Sequence, residues 1–425
     1  MRRTWALALC GAAVCTALGS APVQASPQAQ ASAHLAGPPS ARAATGIQAA
    51  TVARAEPRTK SRTAAERAER EPRTTAGART AAEARTAPRA RQNAPGVLRA
   101  PGWAPKESGT TSRFRGLSAV SRTSAWVAGS GGTVLRTGDA GATWRNVSPP
   151  GASELEFRDI ETFGQRGAVV LAIGEGDASR VFRTEDGGAH WTETFRNDDP
   201  AAFYNCVTFF DRRNGIVVGD PVDGRFRVLS TRDGGRNWRV LPGDGMPAAR
   251  EGEANFAASG QCLTSSGGRD AWFATGGADT SRVFHTSDRG RHWSVARTPL
   301  PAADPARGVF GLAFRDARHG LAVGGHYEPG QPSPRASAVT GDGGAGWRAS
   351  TRPVPEYRSG VTWLPHTRTA ALSVGPTGSD LTLDGGRNWR TFDRGSYDTV
   401  DCSRDLGCWA SGEKGRIARL EPARR

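Results

Sequence analysis

An all-β fold, a ring of seven four-stranded antiparallel units, is predicted by three features of the sequence. A four-point pattern, Thr-x-Asp-x-Gly-x-x-Trp, recurs six times after residue 130. A short, largely apolar run ending in glycine recurs seven times, once upstream of each copy and once more near the C-terminus. From residue 101 onward Gly, Thr, Val and aromatic residues dominate, and unpunctuated stretches of helix formers are scarce.

The chain opens with features of a secretory signal peptide, expected over residues 1–25. Arg2 and Arg3 form a positive start, Trp5 to Leu18 is apolar but too short to span a bilayer comfortably, and Val23-Gln24-Ala25 offers a cleavage site before Ser26. A lipoprotein reading fails because Val14, not a small residue, precedes Cys15. Residues 26–100 follow as an Ala/Arg/Thr/Pro-rich linker with 13 basic and 5 acidic side chains. With almost no large apolar residue, this stretch cannot offset the entropy cost of ordering and is expected to be disordered. Setting these segments aside leaves 41 basic against 36 acidic side chains in residues 101–425, so the charge of +15 belongs mostly to the tail. The tail could meet an anionic cell-envelope polymer, or serve as a plain solvated linker. No nucleic-acid module is evident, and no nucleic-acid partner is expected.

The first box runs Thr137 to Trp144 around Asp139, and the second Thr184 to Trp191 around Asp186. The third and fourth hold Asp233 with Trp238, and Asp288 with Trp293; the last two hold Asp342 with Trp347, and Asp384 with Trp389. Alternating apolar residues precede each copy, as in Val181-Phe182 and Val228-Leu229, and a β-like stretch follows each Trp. Each copy is therefore expected to be a hairpin turn. The Asp carboxylate accepts backbone N–H bonds, glycine supplies the unusual backbone conformation, and the indole folds back over the turn. Six copies argue for architecture rather than catalysis, and His190 and His292 within them are expected to be exposed.

The glycine-ended runs, such as Ala125–Gly129, Val170–Gly174 and Cys408–Gly412, read as strands buried on both faces. Their seventh copy has no box after it, since the chain reaches Glu421-Pro422 where one should begin. Conversely, Trp103-Ala104-Pro105 resembles a post-box strand with no box before it. The N-terminal strand is thus expected to complete the last unit, closing a seven-bladed β-propeller and protecting sheet edges. Rings of six or eight blades are the alternatives.

Four cysteines remain after the signal: Cys206, Cys262, Cys402 and Cys408. Export favours disulfides. Cys402 and Cys408 flank a short loop and are expected to bridge paired strands. Cys206 and Cys262 lie at similar points of neighbouring repeats and could pair across two blades, with free buried thiols the other reading. None has metal-ligand spacing, so no metal site is expected.

The boxes resemble the Asp-box (BNR) repeats of sialidases and related propellers. Ser108-Gly109-Thr110, Phe114 to Val120 and Trp126 to Gly129 together resemble the photosystem II assembly and stability factor type of propeller and its non-photosynthetic bacterial relatives. The similarity spans about residues 103–420 and implies the fold and a non-enzymatic assembly role. It implies no photosystem partner here, because nothing in the chain points to one. Sialidase activity is not expected, since the Arg-Ile-Pro segment that precedes the first box in sialidases is missing. With no dinucleotide fingerprint and no Cys-x-x-Cys, no cofactor is expected.

Candidate ligand residues follow from polar interruptions near the ends of the inner strands. They are Arg115, Arg158, Asp220, Asp223, Arg225, Arg282, His326, Tyr327 and Arg358. Glu251 and Glu253 are the acid–base candidates should chemistry occur, because neighbouring buried carboxylates raise one another's pKa. The leading reading is an exported, monomeric, non-catalytic binding or assembly scaffold, using one face to hold a protein or glycan ligand. The alternative is a secreted glycoside hydrolase with a carboxylate pair at the channel mouth.

Overall fold

The structure is a computed structural model that describes residues 101–421; the expected signal and linker lie outside the described residues. Seven four-stranded antiparallel sheets form the blades of a β-propeller. Their innermost strands, in blade order, begin with Phe114–Ala119, Glu156–Phe163 and Tyr204–Phe209. Blades four to seven follow with Leu263–Ser266, Arg307–Phe314, Gly360–Trp363 and Thr399–Cys402.

Closure follows the expected route. Gly102–Lys106 pairs antiparallel with Ile417–Glu421, placing Trp103 opposite Leu420 as the outer strand of blade seven. The Trp103 indole N–H donates to Ser379 Oγ of blade six at 2.9 Å, so this strand also ties two blades together.

Of the second strands, Ala125–Gly129, Gly320–His326, Ala371–Gly375 and Cys408–Ser411 are buried at every position, and the other three are buried over most of their length. Their side chains feed seven separate cores, one at each junction between blades. Trp126, Phe157 and Phe182 join blades one and two, while Phe226, Phe273 and Phe284 join three and four. Each large side chain so buried contributes about 1.5–3 kcal/mol.

The six Thr-x-Asp turns share one hydrogen-bond pattern. In the first, Thr137 Oγ1 donates to Asp139 Oδ1 at 2.8 Å and accepts from the Gly141 N–H at 3.0 Å. Asp139 Oδ1 then accepts from Thr143 N at 2.9 Å. The same Thr–Asp and Thr–Gly bonds recur in the other five turns. His190 and His292 are exposed and rest on Asp186 and Asp288. The box indoles do more than cover their own turns. Trp191 donates to Val147 O of the preceding blade and meets Trp126 edge-on, and Trp144 meets Trp409 of blade seven.

Both disulfides are present, Cys206–Cys262 between blades three and four and Cys402–Cys408 across the hairpin of blade seven. Cross-links of this kind persist in oxidising compartments. Among the described residues no helix is long and apolar enough to cross a membrane.

Candidate functional site

The inner strands all begin at one end of the channel, here the upper mouth, and the Thr-x-Asp turns lie at the other. Near the upper mouth four inner strands slip register by one residue. The residues at these slips are Arg115, Arg158, Asn205 and Phe310. A bulge re-aims the side chain of its extra residue, so one local device repeated in four blades sets the chemistry of the mouth.

The channel itself is plugged. Blade four does not pass from Arg250–Asn255 straight into its inner strand; residues 256–262 intervene and enter the channel. Gln261 caps the intrusion. Its amide donates to Val361 O of blade six at 2.9 Å and to Val400 O of blade seven at 2.7 Å, and its carbonyl accepts from Val361 N at 3.1 Å. Ser259 Oγ donates to Ser359 O at 2.8 Å, and Arg158 donates to Ala257 O at 2.5 Å. A Cβ on Gly260 would lie 2.1 Å from Asp159 Oδ1, so only glycine passes there. Cys262, bridged to Cys206, anchors the end of the plug.

Above the plug three arginines converge. Arg113 makes a two-pronged bond to Asp398 at 2.7 and 2.8 Å, and Arg115 stands 3.9 Å from the same carboxylate. Arg158 reaches Glu156 at 3.1 Å. Burial and the neighbouring Arg115 lower the Arg158 pKa to about 9. Burial also lowers that of Arg115, with Arg113 adding to the effect against Asp398. Asp398 and Glu156 pair with these arginines, and Glu413 adds its field at Arg113. Beside it Phe310 carries an aromatic wall: Phe256 stacks on it at 4.5 Å, and Tyr357 and Tyr327 meet it edge-on at 4.9 and 6.1 Å. Burial raises the Tyr357 hydroxyl above its usual value, so it stays protonated and able to donate.

The other candidates are placed apart from this cluster. Arg358, 1% exposed, pairs with buried Asp380 at 2.6 Å. Glu253 is buried and held by both prongs of Arg282 and by Thr275 Oγ1 at 2.6 Å, whereas Glu251 is exposed and makes no side-chain bond among the described residues. Glu251 and Glu253 therefore form no carboxylate pair. Asp220 accepts from Asn255 N at 2.9 Å and from Asn205 at 3.1 Å, and burial lifts its pKa to about 7. Asp223 and Arg225 flank the tip of a hairpin that prolongs blade three, with Asp223 and Gly224 both at positive φ. His326 is buried 3.5 Å from Asp304.

Sequence reasoning missed Arg113, Tyr357, Phe256 and the plug at this mouth, and the whole lower mouth. Below Gln261 all seven blades line a cavity of about 380 Å³ that includes Asp159, Glu161 and Asp401 and no basic side chain. Burial pushes Glu161 up to about 8, with Asp401 adding to it, and pushes Asp159 and Asp401 up as well. Asp159 accepts from Val207 N of blade three at 2.7 Å, and Asp401 from Ala119 N of blade one at 2.8 Å. Two of the three thus join blades. An acid in the middle of an apolar inner strand, as in Phe157-Arg158-Asp159-Ile160, was the available signal. Among the described residues no group of side chains is arranged to hold a metal ion.

No protein-family model matches the chain, and no curated protein matches it. Among solved structures it is similar to YCF48 from Cyanidioschyzon merolae, with 14% identity and a TM-score of 0.56 over 75% of this chain and 98% of that one. YCF48 bound to D1 peptide gives 15% identity and a TM-score of 0.54 over 75% and 94%. The Neurospora crassa Pan2 WD40 domain gives 13% and 0.50 over 74% and 90%. At these identities the likeness concerns the fold.

Proposed function

We propose that this chain is an exported, non-catalytic binding scaffold whose upper mouth holds an acidic segment of a protein partner. The observation that carries the reading is the convergence of Arg113, Arg115 and Arg158 above a plugged channel. The plug floors the mouth, so a ligand there would rest on it rather than pass through the channel. Guanidinium groups suit carboxylates through paired N–H donors, and the Phe310 wall offers apolar and ring surface beside them. One fold neighbour is a propeller holding a peptide; the arginines of this chain, not that likeness, support the assignment here. Residues 1–25 serve in this reading as the signal peptide, residues 26–100 as a linker, and the six turns as Asp boxes. A glycoside hydrolase reading has little to rest on, since Glu253 is spent on Arg282 and Glu251 faces solvent.

The test is calorimetric titration with a short glutamate-rich peptide containing one Phe, against the same peptide with Gln for Glu. The acidic form should bind at least tenfold more tightly, and Arg115→Ala should remove that preference. Equal binding of the two peptides, or an unchanged preference in Arg115→Ala, would refute the reading.

A further inference from the structure

Each blade places one residue just before its box Thr, or at the matching point of blade seven, where it faces the next blade at the lower rim. In blades one, two and seven this is an arginine that reaches across the junction. Arg136 donates to Gly187 O at 3.4 Å, Arg183 to Gly234 O at 2.7 Å and Arg419 to Arg122 O at 3.1 Å. In blade four His285 stacks on Trp272 instead, and blades five and six carry Val339 and Leu381. Blade three alone has a serine, Ser230. Where an arginine would lie, a hollow of about 250 Å³ remains between blades three and four.

The hollow is not apolar. Arg232 and Arg239 line it from blade three, and Arg289 and Arg291 from the box of blade four, with Leu241 at its wall and no carboxylate in the lining. Arg289 reaches Gly268 O at 2.8 Å and Asp211 at 3.5 Å. Arg232, Arg239 and Arg291 make no side-chain hydrogen bond or ion pair among the described residues. Nor does the hydroxyl of Ser230, which is nine-tenths buried. Arg289 also holds a left-handed backbone, φ 66°, at the box position where the second, third, fifth and sixth boxes place glycine. A long side chain there costs roughly 1 kcal/mol over glycine, and strain of this kind gathers at functional positions.

We infer that this hollow is a binding site for a phosphate monoester. Four guanidinium groups with one carboxylate among them, Asp211 against Arg289, repel one another, and the ligand that best relieves them carries close to two charges on tetrahedrally arranged oxygens. A phosphate monoester does so near neutral pH, while a sulfate ester or a carboxylate brings one charge. The buried Ser230 hydroxyl supplies a further donor at the floor. The site lies on the rim of the lower face, away from the upper mouth, and does not depend on what that mouth binds.

Titration of the protein with glycerol phosphate, at constant ionic strength, tests this through the arginine Nε–Hε resonances. Saturable shifts are expected, with methyl sulfate and acetate at least tenfold weaker. Arg239→Ala and Arg291→Ala alter exposed side chains and should each weaken glycerol phosphate at least fivefold. Ser230→Arg should fill the hollow as Arg136 and Arg183 fill theirs, abolishing binding without lowering the melting temperature. Arg115→Ala should leave it unchanged. Equal responses to glycerol phosphate and acetate, or binding that survives both Ser230→Arg and Arg239→Ala, would overturn the assignment.

Discussion

Replacing Cys206 and Cys262 together by Ala should cost about twice the stability lost on replacing Cys402 and Cys408. The bridges close chain segments of 56 and 6 residues. Loop-closure entropy for those lengths gives about 4 and about 2 kcal/mol respectively. Unfolding entropy near 2.1 cal/mol/K per residue, over the roughly 320 residues of the propeller, converts these to melting-point losses of about 6 °C and about 3 °C. The first bridge also pins the plug, so its removal should speed amide exchange at Gly260–Cys262, whereas loss of the second should leave those amides protected. Differential scanning calorimetry and hydrogen exchange on the two double variants decide the matter. Equal melting-point losses, or a larger loss for the short bridge, would show that loop length does not govern the stabilisation. Unchanged exchange at Gly260–Cys262 would show that the bonds of Gln261, Ser259 and Ala257 hold the plug without the bridge.

The lower mouth should make stability fall as pH rises. The Glu161 pKa is raised to about 8 in the folded chain from an ordinary 4.5, so its stabilising effect is full below about 4.5 and gone above 8. Between those limits unfolding releases a proton, and each such group lowers stability by up to about 1.4 kcal/mol per pH unit; urea midpoints should show the slope, and Glu161→Gln should reduce it. Asp380→Asn should cost about 3–5 kcal/mol, because it leaves the Arg358 guanidinium buried without its counter-charge. A urea midpoint close to that of the parent would instead mean that Thr377 and the Tyr357 carbonyl suffice to hold Arg358.

What repeats was legible; what occurs once was not. The box pattern is local, since Thr, Asp and Gly bond within five residues of one another, and six copies averaged away the noise of any one. The orphan Trp103 strand was readable for the same reason, as a strand lacking its expected partner. The mouth was only half visible. Arg115 and Arg158 stood out as charges at the start of apolar strands, but their convergence depends on bulges that a sequence pattern does not mark. Glu253 looked like an acid free to react because its partner Arg282 lies 29 residues away on another strand. Gln261 carries no unusual spacing at all; its meaning comes from Val361 and Val400, on the far side of a channel that exists only once the ring has closed.

Three departures from the repeat meet at the junction of blades three and four. A propeller needs blades three and four to do only what the other blades do. Instead this junction carries the bridge Cys206–Cys262, the plug through residues 256–262 and the serine-for-arginine exchange at Ser230. The plug places a backbone segment in the channel; blades four to six share with blade three the lack of a cross-junction bond of the Arg136 type, and Ala140 of the first box shares with Arg289 a conformation that favours glycine. The plug and the arginine hollow thus share one sector, the plug flooring the upper mouth above and the hollow lying below, so the two proposed sites can be tested with variants of neighbouring strands. The Cys206–Cys262 bridge, worth about 4 kcal/mol by loop length, works in the same sector against the cost of ordering the plug that it anchors.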